Sequence, residues 1–386
     1  MRGLMVLLAS GLCAVAAATE PVVSLNSTAQ GGWTSNATET SNGPADSFID
    51  YSHEARISAS LGAMSLRGTL RLAQTIFHRV TEENDISIAG GLEAGLALAD
   101  GVSLRAGYGL TRQWTGEGVP TEIGLVGIAG VTDEREAFAE LLIGGADQQV
   151  KLSINQTWKY PGLSQISGLP VPLPPLALDP AVGVTGVGVD WEKVVTPNMA
   201  FLMRLRSDHS HIPQPDQLGF GRFEAASGTA AAGVKISEQH FGVEVLSGTT
   251  MLWPHEQPAL REMLPYIAAR LQLALGDRLS IEGKGAVRTE MYNPIDPVAS
   301  RVMEGDISAT IKLTDATSVT SGLGQSQESA IFGFPQTRLV HTAELRLDHA
   351  FSERVRVSMA ASKKWVTEMG DRYEVTRVAL GIASQF

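Results

Sequence analysis

The sequence contains a single cysteine, Cys13, which lies in a short apolar stretch close to the start of the chain. Arg2 precedes this stretch and three alanines at positions 16–18 follow it, a pattern typical of a secretory signal peptide. We therefore expect residues 1–18 to be removed on export. The mature chain would then have no thiol, which excludes disulfides, thiolate metal sites and cysteine nucleophiles.

Beyond residue 18 the sequence lacks an apolar run long enough for a transmembrane helix, so a chain that crosses a membrane would have to cross it with strands. Basic residues are also too few for a nucleic-acid partner, since 30 Lys and Arg face 41 Asp and Glu and the formal net charge is −11. The hydrophobic content of 44% suits a soluble domain or a membrane barrel, whose strands show apolar side chains only at every second position.

From residue 51 to the end, short segments alternate apolar and polar residues at the twofold period of a β-strand, with turn signals between them. The last segment, residues 373–386, places Leu380 and Ile382 on one face and small or polar residues on the other. It ends on an aromatic residue, Phe386. The pattern predicts an all-β protein built from many similar hairpins.

A terminal aromatic residue on such a strand resembles the assembly signal of Gram-negative outer-membrane β-barrel proteins, and the hairpin rhythm resembles their porin-like class. The resemblance implies a transmembrane antiparallel β-barrel closed by a C-terminal strand ending in Phe386. The spacing of the hairpins from residue 51 to the end predicts about 16 strands (14–18), at roughly 20 residues for each strand with its connection. The resemblance also implies a location in the cell outer membrane, contact with outer-membrane lipid, and folding by the barrel-assembly machinery. We expect the barrel to span residues 51–386. Residues 19–50, rich in Ser, Thr, Asn and Gly, would form a flexible polar N-terminal leader.

The connections are predicted from turn residues and prolines. Short turns are expected near Asp100, Asp133, Pro197, Glu238, Asp277, Asp315 and Ser352. Residues 161–180 contain a proline-rich run, and proline is excluded from central ladders, so this stretch is expected to form the largest loop, able to fold over or into the mouth. Residues 134–160 fit one long bulged strand or two strands meeting at residues 144–147. Residues 260–275 are interpreted as a strand because the twofold pattern continues after Pro265.

In a barrel of this kind the apolar face meets lipid and the polar face lines the interior. The residues expected to line the pore are Arg105, Arg204, Arg206, Arg270, Glu282, Lys284, Arg288, Asp306, Lys312, Glu344, Arg346, Arg354 and Arg356. So many charges could not be buried dry, so we expect a wet interior. Taken one by one, these charges could instead pair across strands and plug a narrow barrel.

Aromatic residues make up only 6% of the chain, fewer than the interface girdles of membrane barrels usually supply. A sparse outer girdle near the strand ends could still be formed by Tyr108, Trp114, Trp158, Tyr160, Trp253 and Trp365.

The function expected from these features is a channel for passive diffusion of small hydrophilic solutes, which needs no covalent chemistry and no cofactor. An alternative is the barrel of an exopolysaccharide export system, whose periplasmic partner would contact the polar leader. A third is a membrane-embedded hydrolase. Residues 208–216 alone have a metal-like composition, with His209 and His211 between carboxylates, but a solvated loop explains them more simply. No phosphate-loop, dinucleotide-binding or zinc-finger pattern occurs, so we expect no metal and no enzymatic activity.

Overall fold

The computed structural model describes residues 21–121, 124–214, 223–256, 259–291, 298–332 and 336–386. The segment predicted to be a signal peptide lies outside these residues. Within them the strands form one antiparallel sheet that closes on itself, because β1 pairs with both β2 and β19. The single helical element among the described residues is a 3-10 turn at Thr81–Glu83, and none of their helices is long and apolar enough to cross a membrane.

The strands follow one another around the sheet in chain order. Their bounds are β1 (Val22–Thr34), β2 (Asp46–Leu61), β3 (Met64–Phe77), β4 (Asp85–Ala99), β5 (Val102–Thr121), β6 (Gly124–Gly144), β7 (Gln148–Pro161), β8 (Gln165–Ser167), β9 (Ala181–Thr196), β10 (Met199–Gln214), β11 (Ala225–Ser237), β12 (Phe241–Pro254), β13 (Glu262–Leu275), β14 (Leu279–Glu290), β15 (Ser300–Lys312), β16 (Thr317–Ala330), β17 (Thr337–Ala350), β18 (Val355–Glu368) and β19 (Asp371–Gln385).

Eighteen of these strands close the barrel, and the short β8 is an extra strand that pairs only with β6 while β7 pairs directly with β9. The prediction of a closed antiparallel barrel is therefore confirmed, but the expected number of about 16 strands is too low. Seventeen of the wall strands lie within residues 46–385, and the eighteenth is β1, which lies in the stretch assigned to the polar leader.

The predicted leader, residues 19–50, is the main error in the domain boundaries. Val22–Thr34 forms β1, which pairs with β19 from Asn26 to Thr34 and with β2 along its whole length. The barrel thus begins near Val22 and not at residue 51. The polar composition misled the prediction because the outward positions of β1 include Ser27, Ala29 and Gly31, which do not give an apolar alternation.

The two ends of the barrel differ in their connections. Among the strands of the wall, leaving out β8, the connection after β2 and every second connection thereafter is short. Val22 and Phe386 lie at this same end, which we call the short-turn end. Longer connections, such as residues 35–45, 78–84 and 162–180, lie at the opposite long-loop end. In outer-membrane barrels the short turns are periplasmic and the longer loops extracellular. An exception is the two-residue turn at the long-loop end after β18, residues 369–370.

The structure decides the open alternatives in the chain. Residues 134–160 contain two strands, β6 and β7, which meet at residues 145–147. Residues 262–275 form the strand β13 with Pro265 inside it. Asp133 does not turn: it lies within β6, where it pairs in register with Arg112 of β5 and forms an ion pair with it.

The alternation of the two strand faces is clear in the exposure of the apolar side chains. Leu380, Ile382 and Leu323 are 61%, 52% and 61% exposed, whereas their neighbours in sequence on the opposite face are small or charged. A folded protein in water does not leave such a continuous apolar surface uncovered. This outer surface is the band that lies against lipid in an outer-membrane barrel.

Candidate functional site

Contacts between strands that are not neighbours identify the face that lines the interior. Arg204 of β10 donates a hydrogen bond to the hydroxyl of Tyr266 on β13, at 2.8 Å, and Lys235 of β11 donates one to Glu192 of β9, at 3.0 Å. Only side chains inside a closed barrel can pass over an intervening strand in this way. The charged face therefore lines the lumen, and the apolar face is the outside.

A ladder of alternating charges crosses six successive strands of this inner wall, which we call the charge ladder. In order around the wall it contains Glu93, Arg105, Glu140, Lys151, Asp190 and Arg204. The N–O distances along it are 2.7, 3.5, 3.5, 3.6 and 2.6 Å. Opposite charges on neighbouring strands stabilise each other and fix the positions of long, flexible side chains.

Water reaches the charged side chains of the lumen. Lys284, Arg346 and Arg105 are 65%, 54% and 50% exposed although each is held by an acidic partner. Charged groups that are paired yet half exposed belong to a hydrated surface, since burying them without water would carry a large desolvation cost. The ion pairs thus organise the wall without filling the space in front of it.

The register places the predicted pore-lining residues as follows. Arg105, Arg204, Arg206, Arg270, Glu282, Lys284, Arg288, Asp306, Lys312, Glu344, Arg346 and Arg356 all lie on inward positions of their strands. Arg354 instead lies in the turn between β17 and β18. The ion pairs bring Lys284 to Asp306 at 3.2 Å and Arg288 to Glu290 at 2.8 Å and to Glu304.

The lumen narrows at the long-loop end because the connection between β1 and β2, residues 35–45, folds inward; we call it the mouth loop. Glu39 of this loop contacts Lys364 of β18 at 2.5 Å and Arg377 of β19 at 3.5 Å. Its φ of 48° is a conformation that residues with a side chain rarely adopt. Such an outlier points to a conformation that the surrounding contacts impose.

Hydrogen bonds within the mouth loop hold this conformation. The Asn36 side chain donates to the Thr40 carbonyl at 2.6 Å and accepts from the Thr40 N–H at 3.3 Å, and the Ala37 N–H donates to the Pro44 carbonyl at 2.7 Å. Ala37 is buried in an apolar cluster with Phe48, Phe77, Val80, Ala379 and the adjoining Leu125. The first part of the loop, from Asn36 to Thr38, is therefore buried, whereas residues 41, 42, 44 and 45 are exposed.

A second connection at the same end supports the mouth loop from the side of β3 and β4. The carboxylate of Asp46 accepts hydrogen bonds from the N–H groups of Arg79 and Val80, at 2.7 and 2.9 Å. In the 3-10 turn that follows, burial raises the pKa of Glu83 to about 7, although its hydrogen bond from the Gly118 N–H acts in the opposite direction. The neighbouring carboxylates of Glu117, Asp85 and Glu39 also raise this pKa. Glu83 thus titrates near neutral pH.

A second apolar cluster lies inside the long-loop end on the far side of the ring by strand order. It comprises Ala225, Leu252, Met291, Val298 and Ala299, with Val184, Phe223, Ile331 and Phe332 packed against it. Leu252 and Ala299 have no exposed surface. Two clusters of buried apolar side chains therefore lie at the long-loop end.

Residues 162–180 form the longest connection between wall strands in the described part of the chain, as expected. Part of this stretch forms β8 against the projecting edge of β6, and Ser164 and Leu176 form a bridge. Val171 and Leu173 are 69% and 44% exposed. We call residues 162–180 the exposed arm. The prolines exclude it from the barrel wall as expected, but the inward connection is the mouth loop, whose Asn-Gly-Pro turn signal at residues 42–44 was the available clue.

The histidine-containing segment is also placed differently from the prediction. His209 and His211 lie in β10 and not in a loop, while residues 215 and 216 of the predicted cluster lie outside the described part of the chain. The His209 ring stacks at 4.9 Å on His255, and His211 lies 2.5 Å from Glu224. Within the described ranges, no group of three or more His, Cys, Asp or Glu side chains is arranged to hold a metal ion.

Comparisons with known proteins give the fold. No family model matches the chain, and neither does any curated protein sequence. Among solved structures it is similar to the copper transporter OprC, with 9% identity over 95% of this chain and 81% of that chain and a TM-score of 0.56. The siderophore receptor PiuA from Acinetobacter baumannii gives a TM-score of 0.52, with 8% identity over 96% of this chain and 82% of that chain. The siderophore receptor PirA from Acinetobacter baumannii gives a TM-score of 0.51, with 7% identity over 94% of this chain and 80% of that chain.

These neighbours are outer-membrane proteins of Gram-negative bacteria, and they share the closed antiparallel barrel. The outward apolar band, the inward charges and the unequal ends agree with that placement. The chain is a Gram-negative outer-membrane β-barrel, located in the cell outer membrane.

Proposed function

We propose that this barrel is a channel for the passive diffusion of small hydrophilic solutes across the outer membrane. The observation that carries the proposal is the hydrated charged wall of the lumen, in which Lys284, Arg346 and Arg105 are half exposed or more. A solute that crosses the bilayer inside such a lumen exchanges part of its water shell for contacts with fixed charges and lumen water, and no covalent step is needed.

The inward residues expected from the sequence, from Arg105 to Arg356, would line this pore. The charge ladder presents both signs at short spacing, so its field runs between neighbouring strands and is strongest close to the wall. Zwitterionic or strongly dipolar solutes would align in that field, whereas an apolar solute of the same size would gain nothing from it. The mouth loop would set the narrowest point, since it occupies the long-loop end with its ion pairs to β18 and β19.

The test is single-channel recording of the refolded protein in planar bilayers, with liposome swelling in sugars and amino acids of graded size. We expect discrete conductance steps and uptake that falls off sharply with solute size. Folding is checked by the difference in electrophoretic mobility between unheated and heated samples. A folded barrel that conducts no better than the bare bilayer would contradict the proposal.

The structure does not contain the features that suggested an exopolysaccharide exporter or a hydrolase in the sequence. The leader that was to contact a periplasmic export partner is largely the barrel strand β1. The histidines that were to serve a hydrolase contact another histidine ring and a carboxylate, with no serine nucleophile among their described partners. The structural neighbours are named as transporters and receptors, and at 7–9% identity their cargo is not transferred to this chain.

A further inference from the structure

Arginines and aromatic residues are concentrated on the outer surface of the barrel at the long-loop end of β5, β6 and β7. They occupy positions that alternate with the charge ladder on the same strands: Arg105, Glu140 and Lys151 point inward, so residues an odd number of positions away point outward in an unbroken register. The outward group consists of Arg112, Trp114, Asp133, Arg135, Trp158 and Tyr160. We call it the outer rim patch.

The two arginines of the patch have different partners. Arg112 donates from Nε and Nη2 to the two carboxylate oxygens of Asp133, both at 2.6 Å, and lies 5.8 Å from the Trp114 ring. Arg135 is exposed and lies 5.3 Å from the Tyr160 ring, and the structure describes no ion pair for its guanidinium. Asp133 thus orients one guanidinium, while the other remains available to an anion from outside the protein.

The position of the patch makes this exposed cation informative. Tyr160 lies one residue before the end of β7, and Asp133 faces it across the β6–β7 ladder. The patch is therefore at the level where strands leave the hydrocarbon for the headgroups on the side of the long loops. Aromatic residues are normal at this level. An arginine on the lipid-facing side that has an aromatic ring beside it, but no ion pair among the described residues, also needs a headgroup anion or water to solvate its charge.

Directly nearer the bilayer centre, the outer surface becomes apolar. Leu152 and Ile154 of β7 and Val187 of β9 are 39%, 49% and 48% exposed and lie below the patch on the same outward face. An anionic headgroup bound at Arg135 would therefore place its acyl chains along these side chains. A free anion would contact only the arginines of the patch. Because the apolar side chains continue directly from the patch toward the bilayer centre, a lipid fits this surface better.

We propose that the outer rim patch binds the phosphorylated headgroup of a lipid in the outer leaflet. Arg135 and the free Nη1 of Arg112 would donate to phosphate oxygens, because guanidinium groups match phosphate in charge and geometry. The indole of Trp158 and the phenol of Tyr160 would contact the sugar or glycerol part of the headgroup at the interface. The site is separate from the lumen and does not depend on channel activity.

The test is native mass spectrometry of the refolded full chain in detergent, titrated with bisphosphorylated lipid A, its dephosphorylated form and inorganic phosphate. We expect the bisphosphorylated lipid to bind, and Arg135→Gln to weaken its binding about tenfold, as for the loss of a charged hydrogen-bonding group. Asp133→Asn removes a competing anion and should strengthen it. Arg301→Gln is the matched control, since Arg301 faces outward near the same end of β15 opposite Thr289 and Ser329.

Each other result overturns the proposal. Equal binding of the dephosphorylated lipid would show simple adsorption to the apolar surface. Displacement of the lipid by an equal concentration of inorganic phosphate would show a site for free anions. An Arg135→Gln barrel that folds normally and binds lipid as well as the Arg301→Gln barrel would show that the patch does not recognise the headgroup.

Discussion

The two ends of the barrel solve different problems with the same strands. At the short-turn end, neighbouring strands are joined by connections as brief as residues 100–101 and 197–198, and the inner wall carries water-exposed ion pairs such as Lys284–Asp306. At the long-loop end, the connections fold inward and bury apolar side chains in two clusters. The inner wall thus carries hydrated charges along the strands, whereas the buried apolar side chains of the loops are concentrated at one end.

The strongest test of this difference is removal of the mouth loop. Replacing residues 36–43 by a two-residue Asn-Gly turn should increase single-channel conductance about twofold, because current through a hydrated constriction scales with its open cross-section. The measurement is the step size in planar bilayers at fixed salt. Removing residues 169–174 from the exposed arm is the control and should leave the step size unchanged. Equal effects of both deletions would mean that the mouth loop is not the constriction.

The packing at the long-loop end can be compared with the other end by truncating one leucine at each. Leu252→Ala should lower the free energy of unfolding by about 2–5 kcal/mol, since Leu252 is fully buried and the change leaves a cavity. Leu313→Ala changes a residue that is 53% exposed in a turn at the short-turn end and should cost about 0.5 kcal/mol or less. Urea unfolding in lipid vesicles, followed by tryptophan fluorescence, measures both. Similar losses would show that the long-loop end is not packed as a core.

The ion pairs of Glu39 allow the mouth to be altered without changing its backbone. Glu39→Gln leaves Lys364 and Arg377 without their carboxylate, so the passage should become more selective for anions. For partly exposed pairs worth about 0.5–1 kcal/mol, the anion-to-cation permeability ratio should rise about two- to fivefold. Reversal potentials under a salt gradient measure the ratio.

Two further changes serve as controls for Glu39. Lys364→Gln should shift the ratio the opposite way. Lys284→Gln alters a comparable pair on the open wall, where the wider passage screens the change, and should shift it less than Lys364→Gln. A larger shift from Lys284 would place the selective region on the wall and not at the mouth.

The sequence predicted the barrel well wherever one strand face had to be apolar. The run from Val378 to Ile382 shows its outward face directly, because lipid contact selects leucine, valine and isoleucine at every second position. β1 was missed because its outward positions include Ser27, Ala29 and Gly31, which carry no such signal. Its place in the sheet follows from the pairing of its backbone with β2 and β19, and the sequence alone does not reveal that pairing.

The functional residues show the same division. The inward charged residues could be predicted from the alternation of apolar and polar residues, since the period of a strand fixes the face on which a side chain lies. Glu39 could not be found in this way, because its position depends on a loop that folds back onto strands more than 320 residues away in the chain. The pairing of Asp133 with Arg112 was likewise hidden, and its Thr-Asp-Glu context indicated a turn.

The last comparison of the two ends concerns Glu83, the titrating group beside the mouth loop. Its pKa of about 7 lies above the ordinary value of 4.5, so the folded barrel holds the proton more tightly than the unfolded chain does. The penalty for a charged, buried Glu83 is absent below pH 4.5, grows as the pH rises to about 7 and is complete above it. Stability from this group therefore falls across that window, in the opposite direction to a carboxylate stabilised by an ion pair.

Glu83→Gln removes this titration. On going from pH 4.5 to pH 8, the thermal midpoint of the variant should therefore fall less, or rise more, than that of the unaltered protein. The difference should correspond to about 1 kcal/mol of unfolding free energy, because solvent screens a partly exposed group. Glu353→Gln, in the exposed turn at the short-turn end, is the matched control and should leave the difference unchanged. If the two variants behave alike, the carboxylate of Glu83 is as hydrated as one at the short-turn end, and the contrast in packing between the two ends does not extend to this connection.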